Sequence, residues 1–264
     1  MLRFYLEVAR TAFRRQLIYR WANIAGLVTN IFFGIIFSYL IIALYRARPS
    51  VSGYNVQDTL RYTWLVQAML MVVMPFSWQD LMLTIRSGEV VSDLSKPFYL
   101  YWYWFSRECG RSLYYFIFRA IPVYLAGMLL FGLGLPGEWR FWLAYSLALP
   151  LGAMLGIAYR FLSNVMAFWV IEARAVISLS EVTALFFAGS YVPLPLLPSW
   201  LRAITDWLPF RGFLSLPAEA LLGKLNGIAL WLGIGRQLLW LVVLTGIVLL
   251  LTDSATRRVV SQGG

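Results

Sequence analysis

Apolar positions in this chain come in long runs separated by short polar or proline-rich breaks. A bilayer crossing takes about 20 mostly apolar residues, and six runs read as crossings. The first covers Ile24 to Tyr45 and the second Tyr62 to Trp78. The third covers Leu113 to Leu135 and ends at Pro136-Gly137. The fourth starts near Phe141 and continues past Ile157. The fifth covers Val176 to Val192 and the last Leu238 to Leu251. Phe141 to Ile171 is too long for one straight crossing, and Tyr159-Arg160 interrupts it. It reads either as one tilted, kinked helix or as a span followed by an interfacial helix. Leu194 to Gly227 is apolar but broken by Pro195, Pro198, Pro209 and Pro217. Proline breaks helix interiors, so short helices dipping into the interface are expected there. Protein must cover them, because lipid does not tolerate irregular backbone.

Before the first run, Leu2, Leu6, Ala9, Phe13 and Leu17 recur at helical spacing with arginines between them. That pattern predicts an amphipathic helix over 1–22 on a membrane face; the alternative is a plain extension of the first span. No signal peptide is expected, since the first 20 residues lack a continuous apolar core and an Ala-x-Ala-type site. The fold class expected is an all-α polytopic membrane protein with six transmembrane helices. Residues 1–264 form a single transmembrane domain.

Composition strengthens this picture. Of 264 residues, 61% are hydrophobic and 13% charged, where a soluble domain carries roughly 25% charged residues. Histidine is absent, which excludes Ser-His-Asp and Cys-His catalysis and His-ligated metals. One cysteine, Cys109, excludes an intrachain disulfide, a Cys-rich zinc site and an iron–sulfur cluster. The net charge of +10 fits basic residues flanking spans and meeting anionic headgroups. Nucleic acid is not expected as a partner, because no basic stretch is long or separate from apolar sequence.

The same charges give an orientation. Arg3, Arg10, Arg14, Arg15 and Arg20 precede the first span. With six spans they share a side with Arg86, Lys96, Arg107, Arg111, Arg174, Arg257 and Arg258. The other side holds Arg46, Arg48, Arg61, Arg140, Arg202, Arg211 and Lys224 over longer loops. The positive-inside rule then places both termini in the cytoplasm.

Three stretches carry candidate chemistry. Residues 81–103 are too polar to span and too apolar to float free. Ser87-Gly88 breaks the preceding helix, Glu89 to Leu94 can form about two turns, and Ser95-Lys96-Pro97 ends them. Glu89 and Asp93 stand at i, i+4. The segment reads either as a compact handle for a soluble partner or as a loop stabilised by local charges. Glu181 sits in the apolar stretch SLSEVTALFFAG. A carboxylate at membrane depth faces a partner or water, so it is a proton or substrate site, or it pairs with Arg119 or Arg160. Asn23, Asn30 and Gln67 either face a substrate path or bond between helices.

At these residues the chain resembles a family. Gly88-Glu89-Val90, Asp93-Leu94 and Lys96-Pro97 are similar to the coupling helix of type-2 ABC transporter permeases. The amphipathic N-terminal helix, the six spans, Gly189-Ser190-Tyr191-Val192-Pro193-Leu194 followed by Leu197-Pro198, and Leu208-Pro209-Phe210 fall in the same order. The short form resembles the daunorubicin-type bacterial exporter subgroup. The resemblance implies two permeases facing each other, as a homodimer or with a related second permease, above two ABC ATP-binding subunits. Gly88, Glu89, Asp93, Leu94 and Pro97 would then seat in the ATPase. Gly189, Tyr191, Pro193 and Pro198 would belong to an outer gate of short re-entrant helices over 193–227. The chain has no Gly-x-x-x-x-Gly-Lys-[Ser/Thr] loop, so it cannot cradle ATP phosphates itself. ATP and magnesium are expected on the partner, no cofactor on this chain, and a bacterial inner membrane as the location. Competing readings are a self-sufficient secondary transporter or channel, an intramembrane enzyme and a scaffold subunit.

Overall fold

The computed structural model describes residues 1–47, 49–74, 79–170, 172–225 and 227–262, apart from the side chains of residues 20 and 258–262. The expected end of the second span at Trp78, the residues Arg48 and Ile171, and the side chains of Arg20 and Arg258 lie outside that description. The described chain is helical, and its one extended pairing is an isolated bridge between Val51 and Tyr54.

The first helix, α1 (Leu2–Ile18), is separated from α2 (Arg20–Ala47) by a break at Tyr19. It is therefore a helix of its own and no plain extension of the first span. Leu2, Leu6 and Leu17 are exposed, while Ala12 and Phe13 turn inward. Phe13 packs edge-on against Tyr114, and Asn23 ties the junction by donating to the Gln16 carbonyl and the Tyr114 hydroxyl at 3.0 and 3.1 Å. A side chain at Gly110 would put its Cβ 2.0 Å from the Ala9 carbonyl oxygen, so α1 sits directly on the backbone of the helix that carries Gly110.

Helix α3 (Val56–Val73) starts with a capping box between Asn55 and Asp58 and is buried on nearly every side. Its Trp64 is fully buried and donates to Ser38 Oγ at 2.9 Å; Gly34 of α2 and Gly127 leave the room its ring fills. Two short helices follow, α4 (Asp80–Arg86) and α5 (Val90–Leu94). Next, α6 (Leu100–Tyr115) runs without interruption through a π-helical turn, Phe116–Ala120, into α7 (Ile121–Phe131). Pro122 has no N–H to give the carbonyl four residues back, which suits a widened turn just before it. The third long helix thus begins at Leu100, well before the expected Leu113. It ends at Phe131, because Gly132 turns left-handed with φ 65°.

Helix α8 (Trp139–Val165) is continuous despite Pro150 and passes into a 3-10 turn, Met166–Phe168. Tyr159-Arg160 does not break it. Helix α9 (Ala173–Phe187) is shorter than the expected Val176–Val192 run. Gly189, at φ 80°, ends the run: a Cβ there would also stand 2.4 Å from Tyr62 Oη. The proline-rich segment forms a 3-10 turn at Leu194–Leu196, α10 (Ser199–Trp207), a 3-10 turn at Pro209–Gly212 and α11 (Ser215–Leu221). Pro217 does not break α11, because it lies in the first turn, where its missing N–H has no partner to lose. The last helix, α12 (Ile228–Gln262), overruns the expected Leu238–Leu251 at both ends.

Among the described residues, four helices are long and apolar enough to cross a membrane: Trp21–Ala47, Leu100–Phe131, Trp139–Phe168 and Ile228–Arg257. Six were expected. Helix α3 is wrapped by protein and carries Asp58, Arg61, Thr63 and Gln67, and α9 has only 15 residues. The ends of the bundle pack separately. Leu81, Val90, Leu100, Trp104, Phe161, Val248 and Ala255 form one cluster around α4 and α5. At the other end, Lys224 bonds Asp58 Oδ2 at 2.6 Å and joins the first turn of α3 to the segment after α11.

Candidate coupling site

The α4–α5 segment is built as a short bent arm. Helix α4 ends at Arg86, and Gly88 reverses the chain with φ 78°. Open space surrounds Gly88, so the backbone conformation, not crowding, calls for glycine there. Helix α5 is one turn and a fraction, shorter than the two turns expected. Val90 is its buried anchor, while Glu89, Val91 and Ser92 are exposed and Asp93 and Leu94 half-buried. Asp93 accepts from Lys96 Nζ at 2.8 Å, and this bond holds the ammonium above the usual lysine range. Pro97 is exposed, and Phe98 stacks between Tyr103 at 4.9 Å and Phe4 at 5.5 Å, which ties the arm to α1. Residues 100–103, expected in this arm, belong to α6 instead: Leu100 and Tyr101 are buried against the second core cluster.

What holds the arm is a charged cluster that the sequence reading missed. Asp80 Oδ2 accepts from Arg107 at 2.7 Å and Arg111 at 3.1 Å. Glu108 accepts from Arg111 at 3.0 Å and from Arg160 at 2.5 Å. The Met82 amide donates to Asn164 Oδ1 at 3.0 Å, and Arg107 lies over the Trp104 ring at 4.3 Å. Helix α4 is therefore tied to α6 and α8 by ionic and neutral bonds together. Buried charges persist only when paired and hydrogen-bonded, and Glu108 is 5% exposed. Arg107, Glu108 and Arg111 lie within one helical turn or so on α6, which was the signal available in sequence.

Glu181 is half-buried on α9, which packs mainly on α8 and the Pro209–Gly212 turn. The expected arginine partners are engaged elsewhere. Arg160 is on Glu108, and Arg119 reaches the Gly26 carbonyl at 2.6 Å and Asn30 Oδ1 at 2.5 Å. Asn30 in turn donates to the Gln67 carbonyl at 2.9 Å. Asn30 and Gln67 thus meet between α2 and α3, but they form no group with Glu181 among the described contacts. Glu108 is also the more deeply buried acid.

At the opposite end, Pro193 is buried, and Tyr191 and Pro198 are exposed. Arg211 bonds Asp206 and, at 2.7 Å, Glu219, which also accepts from Ser215 Oγ at 2.7 Å. Burial opposes the charge on Arg211, but Glu219 and Asp206 outweigh it and hold the guanidinium above its ordinary value. Gln237 Nε2 donates to the Gly212 carbonyl at 2.7 Å and the Ala148 carbonyl at 2.9 Å. The irregular backbone here is pinned to α8 and α12 by side chains.

An all-helical bundle with four membrane-length apolar helices, ion pairs buried inside it and short helices at both ends is a multi-pass membrane protein. The family model described as ABC-2 family transporter protein matches residues 29–263, and the chain belongs to that family. It is a membrane transport component without an ATPase of its own, from a family that works with ABC ATP-binding subunits. No curated protein and no solved structure matches the chain.

Proposed function

We propose that this chain is the transmembrane permease subunit of an ATP-driven exporter in a bacterial inner membrane. Two permeases, identical or related, face each other and form the path. Helices α3 and α9 complete six crossings: α3 is shielded by its neighbours, and α9 is extended by the pinned proline-rich segment. Both termini then lie in the cytoplasm with α1 at the interface. Helix α5, with Gly88, Glu89, Asp93, Leu94 and Pro97, seats in a separate ABC ATP-binding subunit that holds ATP and magnesium. Residues 193–227, with Gly189, Tyr191, Pro193 and Pro198, form the outer gate. The substrate is hydrophobic or amphipathic, and the short form of the chain resembles the daunorubicin-type subgroup.

The observation that carries this reading is the arm itself. Helix α5 presents Glu89, Val91 and Ser92 outward, while Asp80 and Met82 just behind it are bonded to α6 and α8. A push on α5 passes through the Gly88 turn to α4, whose Asp80 and Met82 carry it to two long helices. Affinity purification from native membranes in mild detergent, with mass spectrometry of the retained proteins, tests the partnership. A stoichiometric ATP-binding subunit is expected. Glu89→Ala with Asp93→Ala is expected to uncouple transport from ATP hydrolysis while leaving membrane insertion intact. Unchanged transport by that double variant removes α5 as the coupling element.

A further inference from the structure

Two polar ties leave α4, and they go to different helices. Asp80 accepts from Arg107 and Arg111, both on α6. The Met82 amide donates to Asn164 Oδ1, on α8, at 3.0 Å. This second tie is a helix cap supplied from a distant part of the chain. The leading amides of a helix have no acceptor within it. Gln79, at the cap position of α4, makes no side-chain bond to them. Asn164, 82 residues from Met82, takes that part with a side chain well suited to capping. Both residues are buried, Met82 completely. Loss of Asn164 would strand the Met82 amide where water does not reach it.

Asn164 is also fixed in orientation. Its Nδ2 donates to the Arg160 carbonyl at 2.8 Å, one turn back on α8. Turning the amide over would set its NH2 against the Met82 N–H, donor to donor. One rigid side chain therefore joins the backbone of α4 to the backbone of α8.

From there α8 reaches the proline-rich segment. Gly152 lies 12 residues before Asn164, about 18 Å along the helix axis. A Cβ at Gly152 would stand 2.7 Å from the carbonyl oxygens of Gly212 and Phe213, so the two backbones touch there. Between these points Tyr159 packs edge-on against Phe210 at 5.0 Å. Pro150, which costs α8 a backbone bond, lies outside the Gly152–Asn164 stretch. That stretch is unbroken helix and moves as a unit, so a displacement at Asn164 arrives at Gly212 and Phe213.

Granted the coupling role of α5 proposed above, we infer that Asn164 is a positioning residue that passes the movement of the arm to α8 and so to the outer segment, while Asp80 passes it to α6. The test uses the native complex with its ATP-binding subunit, purified in mild detergent. The chain carries Cys109→Ala and, as a reporter, Trp200→Cys. Trp200 is exposed on α10, which the Arg211–Asp206 bond joins to the Pro209–Gly212 turn. Maleimide labelling of the reporter is timed with and without ATP and magnesium. In this parent ATP is expected to change the labelling rate.

Asn164→Leu is expected to abolish that change while the partner subunit still hydrolyses ATP. Asn164→Asp keeps the acceptor and adds one carboxylate to a cluster of three guanidinium groups and two carboxylates; it is expected to retain the change. A cap that only held the fold together would lower the melting temperature in Asn164→Leu and leave the ATP response in place, and that result overturns the proposal. An Asn164→Asp variant as unresponsive as Asn164→Leu overturns the role of the acceptor. Gly152→Ala tests the far end with the Met82–Asn164 bond intact, and it serves where Asn164→Leu fails to fold. Its Cβ presses α8 off the two carbonyls, so it too is expected to lose the response; a full response overturns α8 as the relay. No ATP response in the parent itself overturns the coupling reading, a result distinct from a response that survives in Asn164→Leu.

Discussion

Glu108 holds two guanidinium groups inside the protein, Arg111 at 3.0 Å and Arg160 at 2.5 Å. Removing one partner from such a buried set leaves charge uncompensated, at a cost of about 3–5 kcal/mol. Glu108→Gln is therefore expected to lower the unfolding free energy by about that much, read as a drop in melting temperature in detergent. Pairing it with Arg160→Met is expected to recover part of the loss, because the stranded cation goes too. A melting temperature unmoved by Glu108→Gln would mean the cluster is solvated. The sequence pointed instead to Glu181, and the reason is physical. Glu181 sits among Val, Thr and Leu and so looks buried; Glu108 sits beside Arg107 and Arg111 and looks like a surface charge run. The partner that makes Glu108 tolerable inside the bundle, Arg160, is 52 residues away. No local pattern reports that pairing.

At the scale of elements, local signals were read well where the chain decides locally. A helix at the N-terminus, the stop at Ser87-Gly88 and a short helix before Pro97 follow from side-chain period, glycine and proline. Helix lengths were read less well, since apolar runs mark the lipid-facing part and helices continue beyond it. Leu100 to Ser112 is aromatic and charged, yet it is helix because α1 and α8 cover it. The seating of α1 gives a second prediction. Gly110→Ala forces a Cβ against the Ala9 carbonyl, an overpacking that costs about 1–3 kcal/mol. It is expected to loosen α1, seen as faster proteolysis within residues 1–18, with residues 100–131 staying protected. At Gly88 the effect is different in kind. Gly88→Ala meets no clash but must hold a left-handed conformation, at about 1–2 kcal/mol. Transport per ATP hydrolysed is expected to fall while global melting stays nearly unchanged.

For the whole molecule, the two ends of the bundle are built differently, and their separation can be checked directly. In a Cys109→Ala background, Ser92→Cys and Arg140→Cys place single thiols at exposed positions near opposite ends. Membrane-impermeant maleimide is expected to label Arg140→Cys in intact cells and Ser92→Cys only after the membrane is opened. Labelling of both from one side would rule out an odd number of crossings between them. The number of crossings was the least legible global property. Helix α3 carries Asp58, Arg61 and Gln67 because protein, not lipid, surrounds it. The apolar runs predict six crossings, while four helices among the described residues are long and apolar enough to make one.

The bond between Arg119 and the first long helix has a consequence for biogenesis. Arg119 reaches the Gly26 carbonyl across 93 residues of chain. Ribosomes add about 5–20 residues per second, so the α2 groups are made roughly 5–19 s before the guanidinium that will bond them. During that interval Asn30 Oδ1, the atom that accepts from Arg119, must be sheltered by the insertion machinery or by water at its mouth. The nascent protein is then most exposed to mispairing and quality-control degradation while its third long helix is still being synthesised.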